Sequence, residues 1–241
     1  MIIKKTHVKK KISVVCAILN EEKNIPIFVK KLENNLVNYN YEIIFVDDNS
    51  SDNTRSVIKS LKGNKIKYIL RKEKKDISQS CILGIKKSKY KNILIMDSDL
   101  QHNPKYLPAM LSKFFAKECD FLVGVRDFSN LKGLSPVRRM GSKTLCFLFN
   151  FILGYKVSDP MTGFFIFKKY YFYKYKKNLF GKGWKLLSDL IYNGDYLKIE
   201  QFKIQFNKRV YHESKMNLGV LINVVKLLFF KLYLNFFVKR N

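Results

Sequence analysis

Residues 92–102, Asn-Ile-Leu-Ile-Met-Asp-Ser-Asp-Leu-Gln-His, change character halfway. An apolar run from Ile93 to Met96 stops at two carboxylates, Asp97 and Asp99, which flank a single serine. A short, nearly continuous apolar run reads as a strand covered on both faces, as in a parallel sheet. Open parallel sheets bind ligands beyond the carboxyl ends of their strands, so chemistry is expected where this run stops. Two carboxylates around one small residue can both turn toward a hard divalent cation. Magnesium or manganese accepts such oxygens and keeps positions for substrate phosphates. A solvated acidic turn leading into the next helix is the simpler alternative. Gln101 could supply a further oxygen, and His102 reads by default as a solvent-facing or helix-start histidine.

Working outward, a second strand is expected at 42–46, apolar from Ile43 to Val46, and it passes straight into Asp47-Asp48-Asn49-Ser50-Ser51-Asp52. Adjacent like charges at a strand end do little for stability, but they suit hydrogen bonds to a ribose or nucleobase. Asp52 also reads as the cap of the following helix. Further strands are expected at 12–17, 65–70 and 121–125. Ile25, Phe28, Val29, Leu32 and Leu36 recur at helical spacing with Pro26 in the first turn. Another helix should open at Pro104, with Leu107, Leu111 and Phe114 on one face. Such alternation predicts an α/β fold with an open, mostly parallel sheet. Beyond Arg126 the pattern loosens.

The 241 residues carry 46 Lys and Arg against 19 Asp and Glu, a net charge of +27 that implies an anionic partner. Hydrophobic content of 47% with 15% aromatics excludes a disordered chain. Cys16, Cys81, Cys119 and Cys146 form no CxxC pair and are expected as buried free thiols. The basic N-terminus lacks an apolar stretch of signal-peptide length, so the catalytic part is expected in the cytoplasm.

Seven ordered segments resemble family 2 glycosyltransferases of GT-A fold, within the polyprenyl-phosphate, dolichol-phosphate-mannose-synthase-like branch. They are residues 14–22 (VVCAILNEE), 46–54 (VDDNSSDNT), 96–104 (MDSDLQHNP), the GVR ending at Arg126, Arg138 with Ser142, 159–164 (DPMTGF), and Arg209 with Glu213-Ser214-Lys215. The sequence departs from that pattern at Ala17, Leu19, Phe165 and His212. The resemblance implies a Rossmann-like GT-A domain over residues 12–216, after a basic tail (1–11) and before a membrane-associated helix (217–241). It implies that Asn20, Glu21, Asp47 and Asp48 meet the nucleotide. Asp97, Asp99 and Gln101 would hold Mg2+ or Mn2+. Arg126, Arg138, Ser142, Arg209 and Lys215 would hold phosphates, for which a planar guanidinium is well shaped. Asp189 would line the acceptor side.

The reaction so implied is inverting transfer of a hexose, with mannose foremost, from a nucleotide sugar to a polyprenyl or dolichyl phosphate. A phosphate acceptor is largely dianionic at neutral pH and needs no general base. A saccharide hydroxyl acceptor is the alternative, and there Asp189 or Asp99 would have to take a proton. Residues 218–238 are long enough to span a bilayer but contain Lys226 and Lys231. A helix lying in the interface with its lysines toward headgroups is favoured over a spanning one, and a terminal helix packed on the core is the remaining alternative. Residues 144–153 read as a second dipping helix, and the basic-aromatic stretch 168–177 suits anionic lipid. The expected location is the cytoplasmic face of the cell membrane. The expected partners are the donor, the lipid phosphate and an anionic membrane surface, with room for a membrane-protein partner. Nucleic acid is not among them, because no nucleic-acid motif is present and carboxylates close two strands.

Overall fold

The computed structural model describes residues 9–61, 63–127, 136–183, 185–193, 196–208 and 218–234, without the side chains of 136–138 and 218–221. The apolar runs become strands β1 (Lys11–Ile18), β2 (Asn40–Asp47), β3 (Ile66–Leu70), β4 (Asn92–Ile95) and β5 (Phe121–Arg126). Two further strands, β6 (Phe165–Lys168) and β7 (Ile199–Ile204), complete one sheet in the order β3-β2-β1-β4-β6-β5-β7. Strand β6 runs antiparallel to both its neighbours, while the other pairings are parallel. The mostly parallel α/β sheet is therefore present.

Alternation along the strands sends side chains to two cores. Val14, Cys16, Ile43 and Phe45 face helices α1 (Ile25–Asn35) and α4 (Leu107–Ala116), which bury Phe28, Leu32, Met110 and Phe114. Val15, Ile44 and Val46 face the other layer. That layer contains α3 (Ile77–Lys87), α5 (Pro136–Leu153), α7 (Leu186–Ile191) and α8 (Leu218–Tyr233). Helix α3 can approach the sheet because Gly84 has no side chain, and a Cβ there would collide with Val15. All four cysteines are buried free thiols, as expected.

Register brings the strand ends to a common level. Ile18 pairs with Asp47, Asp47 with Leu70, and Val15 with Ile95, so the residues after each strand emerge together. The helix expected at Pro104 begins as a 3-10 turn (Pro104–Tyr106), capped by Asn103 Oδ1 accepting from the Lys105 amide at 3.0 Å, and α4 follows. Helix α2 (Thr54–Ser60) follows the Asp47–Asp52 loop. The basic-aromatic stretch becomes α6 (Lys169–Tyr175), which buries Phe172 and Tyr175 and exposes Tyr170 and Tyr173.

The C-terminal helix differs from expectation in one respect. Lys226 is exposed, but Lys231 is only 1% exposed and turns inward. Its Nζ lies 2.7 Å from Asp189 Oδ1 on α7 and donates to Asn178 O and Asn193 Oδ1. A buried ammonium requires such partners, so Lys231 ties α8 to the domain and does not reach toward headgroups. Among the described residues, no helix is long and apolar enough to cross a membrane.

Candidate active site

The ends of β1 and β2 are joined by polar groups. The Asp48 amide donates to Ile18 O (2.9 Å), the Asn20 amide to Ser50 Oγ (2.8 Å), and the Ser51 amide to Asn20 Oδ1 (2.8 Å). Asn20 and Asn49 have φ of 54° and 64°, in the left-handed region that asparagine tolerates better than most residues. Glu21 is buried, accepting from Asn24 Nδ2 at 2.6 Å, and its amide donates to Thr54 Oγ1 at 2.7 Å. Asp52 accepts from the Thr54 amide and hydroxyl and so braces the turn into α2, whose N-cap is Asn53 and not Asp52 as anticipated.

The two adjacent aspartates have separate roles. Asp47, expected at the nucleotide, is turned into the fold. Its Oδ1 accepts from the Ser50 amide (2.8 Å) and hydroxyl (2.6 Å), and its Oδ2 from Tyr68 Oη (2.7 Å). One oxygen thus shapes its own turn and the other ties that turn to β3, which gives this carboxylate a structural role. Asp48 lies 2.9 Å from Arg71 Nε and accepts from the Asp76 amide at 2.6 Å. Arg71, not anticipated from the sequence, also donates to Ser80 Oγ and Lys74 O. Asp76 was missed too: it caps α3 through Gln79 and accepts from the Gly183 amide at 2.8 Å.

After β4 the loop doubles back sharply. Leu100 has φ of 63° although it is buried, a conformation costing about 1–2 kcal/mol that persists only where its surroundings impose it. Asp99 Oδ1 accepts from the Gln101 amide across that residue (3.0 Å). The Asp97 side chain is 38% exposed. A Cβ on Gly163 would lie 2.7 Å from Asp97 Oδ2, so the glycine makes room for that carboxylate. Gln101, expected beside a metal, has its amide nitrogen donating to Asn207 O at 3.3 Å, which ties the loop to the segment after β7. His102 is not solvent-facing. It is 3% exposed, between the rings of Phe164 and Phe206 at 5.3 and 5.2 Å, with Nδ1 3.7 Å from Asp97 Oδ2.

Opposite these acids lies a basic group. Arg126, at the end of β5, pairs with Asp159 through Nε···Oδ2 (2.6 Å) and Nη2···Oδ1 (2.9 Å), and Nη2 donates to Ser142 Oγ (3.0 Å). Burial opposes the Arg126 charge, but the Asp159 carboxylate outweighs it and raises the guanidinium pKa. Burial likewise opposes the Asp159 charge, and Arg126 outweighs it, holding the carboxyl below its usual range. The Arg126 and Ser142 expected together are thus together, with Asp159 as the member that holds them. The Arg138 side chain and the whole of Arg209 and Glu213-Ser214-Lys215 lie outside the described residues. Asp189, expected on the acceptor side, accepts from the Phe180 and Gly181 amides (3.0 and 2.7 Å) in addition to its pairing with Lys231. Those partners make it a buried structural anion.

The donor set suits a hard divalent cation completed by substrate. Among the described residues no cluster of three His, Cys, Asp or Glu side chains could hold an ion unaided. Two carboxylates plus phosphate and water oxygens is the arrangement Mg2+ and Mn2+ accept.

The chain is 28% identical over 211 residues to a dolichol-phosphate mannosyltransferase of Pyrococcus furiosus, covering 86% of this chain and 59% of the relative. A dolichol-phosphate mannosyltransferase of Mycosarcoma maydis is 28% identical over 74% of this chain and 62% of its own length. The chain thus spans about three-fifths of the length of these two relatives. A UDP-N-acetylglucosamine–dolichyl-phosphate N-acetylglucosaminyltransferase of Methanococcus voltae is 26% identical over 88% of this chain and 91% of its own. Among solved structures, glucosyl-3-phosphoglycerate synthase from Mycobacterium tuberculosis superposes with a TM-score of 0.67 at 18% identity, covering 93% of this chain and 79% of the other. The same synthase has also been solved with Mn2+ and UDP-glucose. Residues 13–176 match the profile of Glycosyl transferase family 2. On that match, which spans more than half of its length, the chain belongs to glycosyl transferase family 2.

Proposed function

We propose that this chain transfers a hexose, mannose foremost, from a nucleotide sugar to a polyprenyl or dolichyl phosphate, with inversion, at the cytoplasmic face of a membrane. The observation carrying the reading is the segment 159–163, whose Asp159 pairs with Arg126 while its Gly163 abuts Asp97, on a sheet whose neighbouring strands β1 and β2 lead into Glu21 and Asp48. The names of the dolichyl-phosphate relatives support the acceptor class. The Mn2+ of the glucosyl-3-phosphoglycerate synthase complex supports a divalent cofactor, Mg2+ or Mn2+.

Asp97 and Asp99 would hold the metal, which when bound would neutralise charge developing on the departing diphosphate. Glu21 and Asp48 orient the nucleoside. Arg126, held rigid by Asp159, is proposed to present positive charge to the phosphates, with Arg138, Arg209 and Lys215 as the remaining bases of that seat. The acceptor argument gains from Asp189. A hydroxyl acceptor needs a carboxylate base, and this candidate is bound to two amides and an ammonium. A lipid phosphate needs none.

Membrane contact is proposed through α5 and α8, which pack together. Phe147 and Phe151 on α5 and Phe229 on α8 are each at least 64% exposed, with Lys143 and Lys226 also exposed. Aromatic side chains among lysines suit the interface of an anionic bilayer. To test the function, the chain is incubated with labelled GDP- and UDP-sugars, polyprenyl phosphate and a mixture of water-soluble saccharides, and both the organic and the aqueous phases are read by mass spectrometry. A glycosylated lipid phosphate is expected. Label transferred only to a water-soluble saccharide would overturn the acceptor assignment.

A further inference from the structure

Lys185, the residue before α7, stands where the acidic and basic sides of the cleft meet. Its Nζ donates to Met161 O at 3.0 Å, and among the described residues that is its one hydrogen bond. An ammonium has three N–H donors, so two remain for a ligand. Met161 belongs to the segment 159–163, whose first residue holds Arg126 and whose last abuts Asp97. Ser188 on α7 holds the same segment, donating to Pro160 O at 2.5 Å. Lys185 is therefore fixed at the middle of a segment that touches both halves of the site.

The charged and titratable groups facing Lys185 are Arg126 from β5, Asp159, Cys146 from α5 and Asp97 beyond β4. Burial, then Arg126, lowers its pKa to about 8, and Asp159, Cys146 and Asp97 offset this only in part. Asp159 is engaged by both nitrogens of the Arg126 fork. Burying an ammonium beside a guanidinium is unfavourable for the fold alone, and an arriving polyanion relieves both charges.

We propose that Lys185 is a phosphate-binding residue of this site, seating the diphosphate of the nucleotide between Arg126 and the Asp97–Asp99 loop. The assignment rests on the transferase reading and adds to it a residue that no motif named. A charge-assisted contact of this kind corresponds to roughly 10- to 100-fold in affinity.

The test is calorimetric binding of UDP and of GDP, each with Mg2+, to the wild type and to Lys185→Met, Lys185→Arg and Ser188→Ala. Lys185→Met should bind the diphosphate at least about tenfold more weakly and Lys185→Arg within about threefold of the wild type. Ser188→Ala loosens the same segment without removing charge and should stay close to Lys185→Arg. Wild-type affinity should fall by up to about tenfold between pH 7 and 9, as the ammonium loses its proton, and Lys185→Met should lose that dependence. A folded Lys185→Met that binds like wild type overturns the assignment, as does a Ser188→Ala loss equal to that of Lys185→Met, which would mark a structural staple. Should Lys185→Met not fold, wild-type affinity that is flat from pH 7 to 9 overturns it. Wild type that binds neither nucleotide overturns the transferase reading first, and this assignment with it.

Discussion

Neutral donors position Glu21, Asp47 and Asp99, whereas carboxylates position the buried bases Arg126 and Lys231; Asp48, paired with Arg71, and Lys185, held by a backbone carbonyl, stand outside that contrast. Glu21 is held by an asparagine amide, Asp47 by a serine and a tyrosine, and Asp99 by a backbone amide. Arg126 is held by Asp159, and Lys231 by Asp189. A neutral donor orients a carboxylate and leaves its charge in place for a cation. An ion pair cancels the charge it orients and makes the fold depend on both partners. Changes on the acidic side should therefore cost function, and changes on the paired side should cost stability.

The largest effect is expected from Asp159→Ala. It leaves Arg126 buried against an empty place, and denaturant unfolding should show a loss of about 3–5 kcal/mol. Next, Asp99→Asn should reduce sugar transfer by about 10²–10³-fold while the melting temperature stays near that of the wild type. A mutant that melts much earlier would break the contrast from the acidic side. Lys231→Met keeps the length of the side chain and leaves Asp189 its two loop amides, so about 1–3 kcal/mol should be lost in thermal unfolding. The double change Lys231→Met with Asp189→Asn should be milder than the sum of the two singles.

The smallest effect is the acid limb. Burial opposes the charge on Asp159 and on Glu42, yet Arg126 and Lys67 respectively outweigh it and leave both carboxyls below their usual range. Their folded pKa values lie below the unfolded ones, so the unfolded chain binds more protons as pH falls. Their contribution is complete above about pH 5 and is lost as pH falls through the depressed values. Melting curves between pH 7 and 3 should decline only below about pH 5, less steeply in Asp159→Asn.

The acidic side was the more legible in the sequence, and the reason is local. A buried strand ending in carboxylates is a contiguous pattern, so β1 to β5 and the level of Asp48, Asp97 and Asp99 could be read directly. What the pattern could not show is which way each oxygen turns. Asp47 and Asp48 are neighbours, yet one is bound by Ser50 and Tyr68 and the other meets Arg71, just past β3. The paired side depends on contacts between residues far apart: Arg126 with Asp159, Lys185 with Met161, Lys231 with Asp189. No spacing rule announces them, and Lys231, expected toward headgroups, turns inward to Asp189 on α7. Strands β6 and β7 were missed because one is only four residues long and the other, IEQFKI, is a half-buried edge of mixed polarity.

The most direct test of the central claim is anomalous diffraction from crystals of the chain grown with Mn2+ and a nucleoside diphosphate. The account predicts one manganese peak bonded to Asp97 and Asp99 carboxylate oxygens and to diphosphate oxygens, with Arg126 nearby. A manganese peak bound elsewhere, or a diphosphate seated away from Asp97 and Asp99, would contradict it.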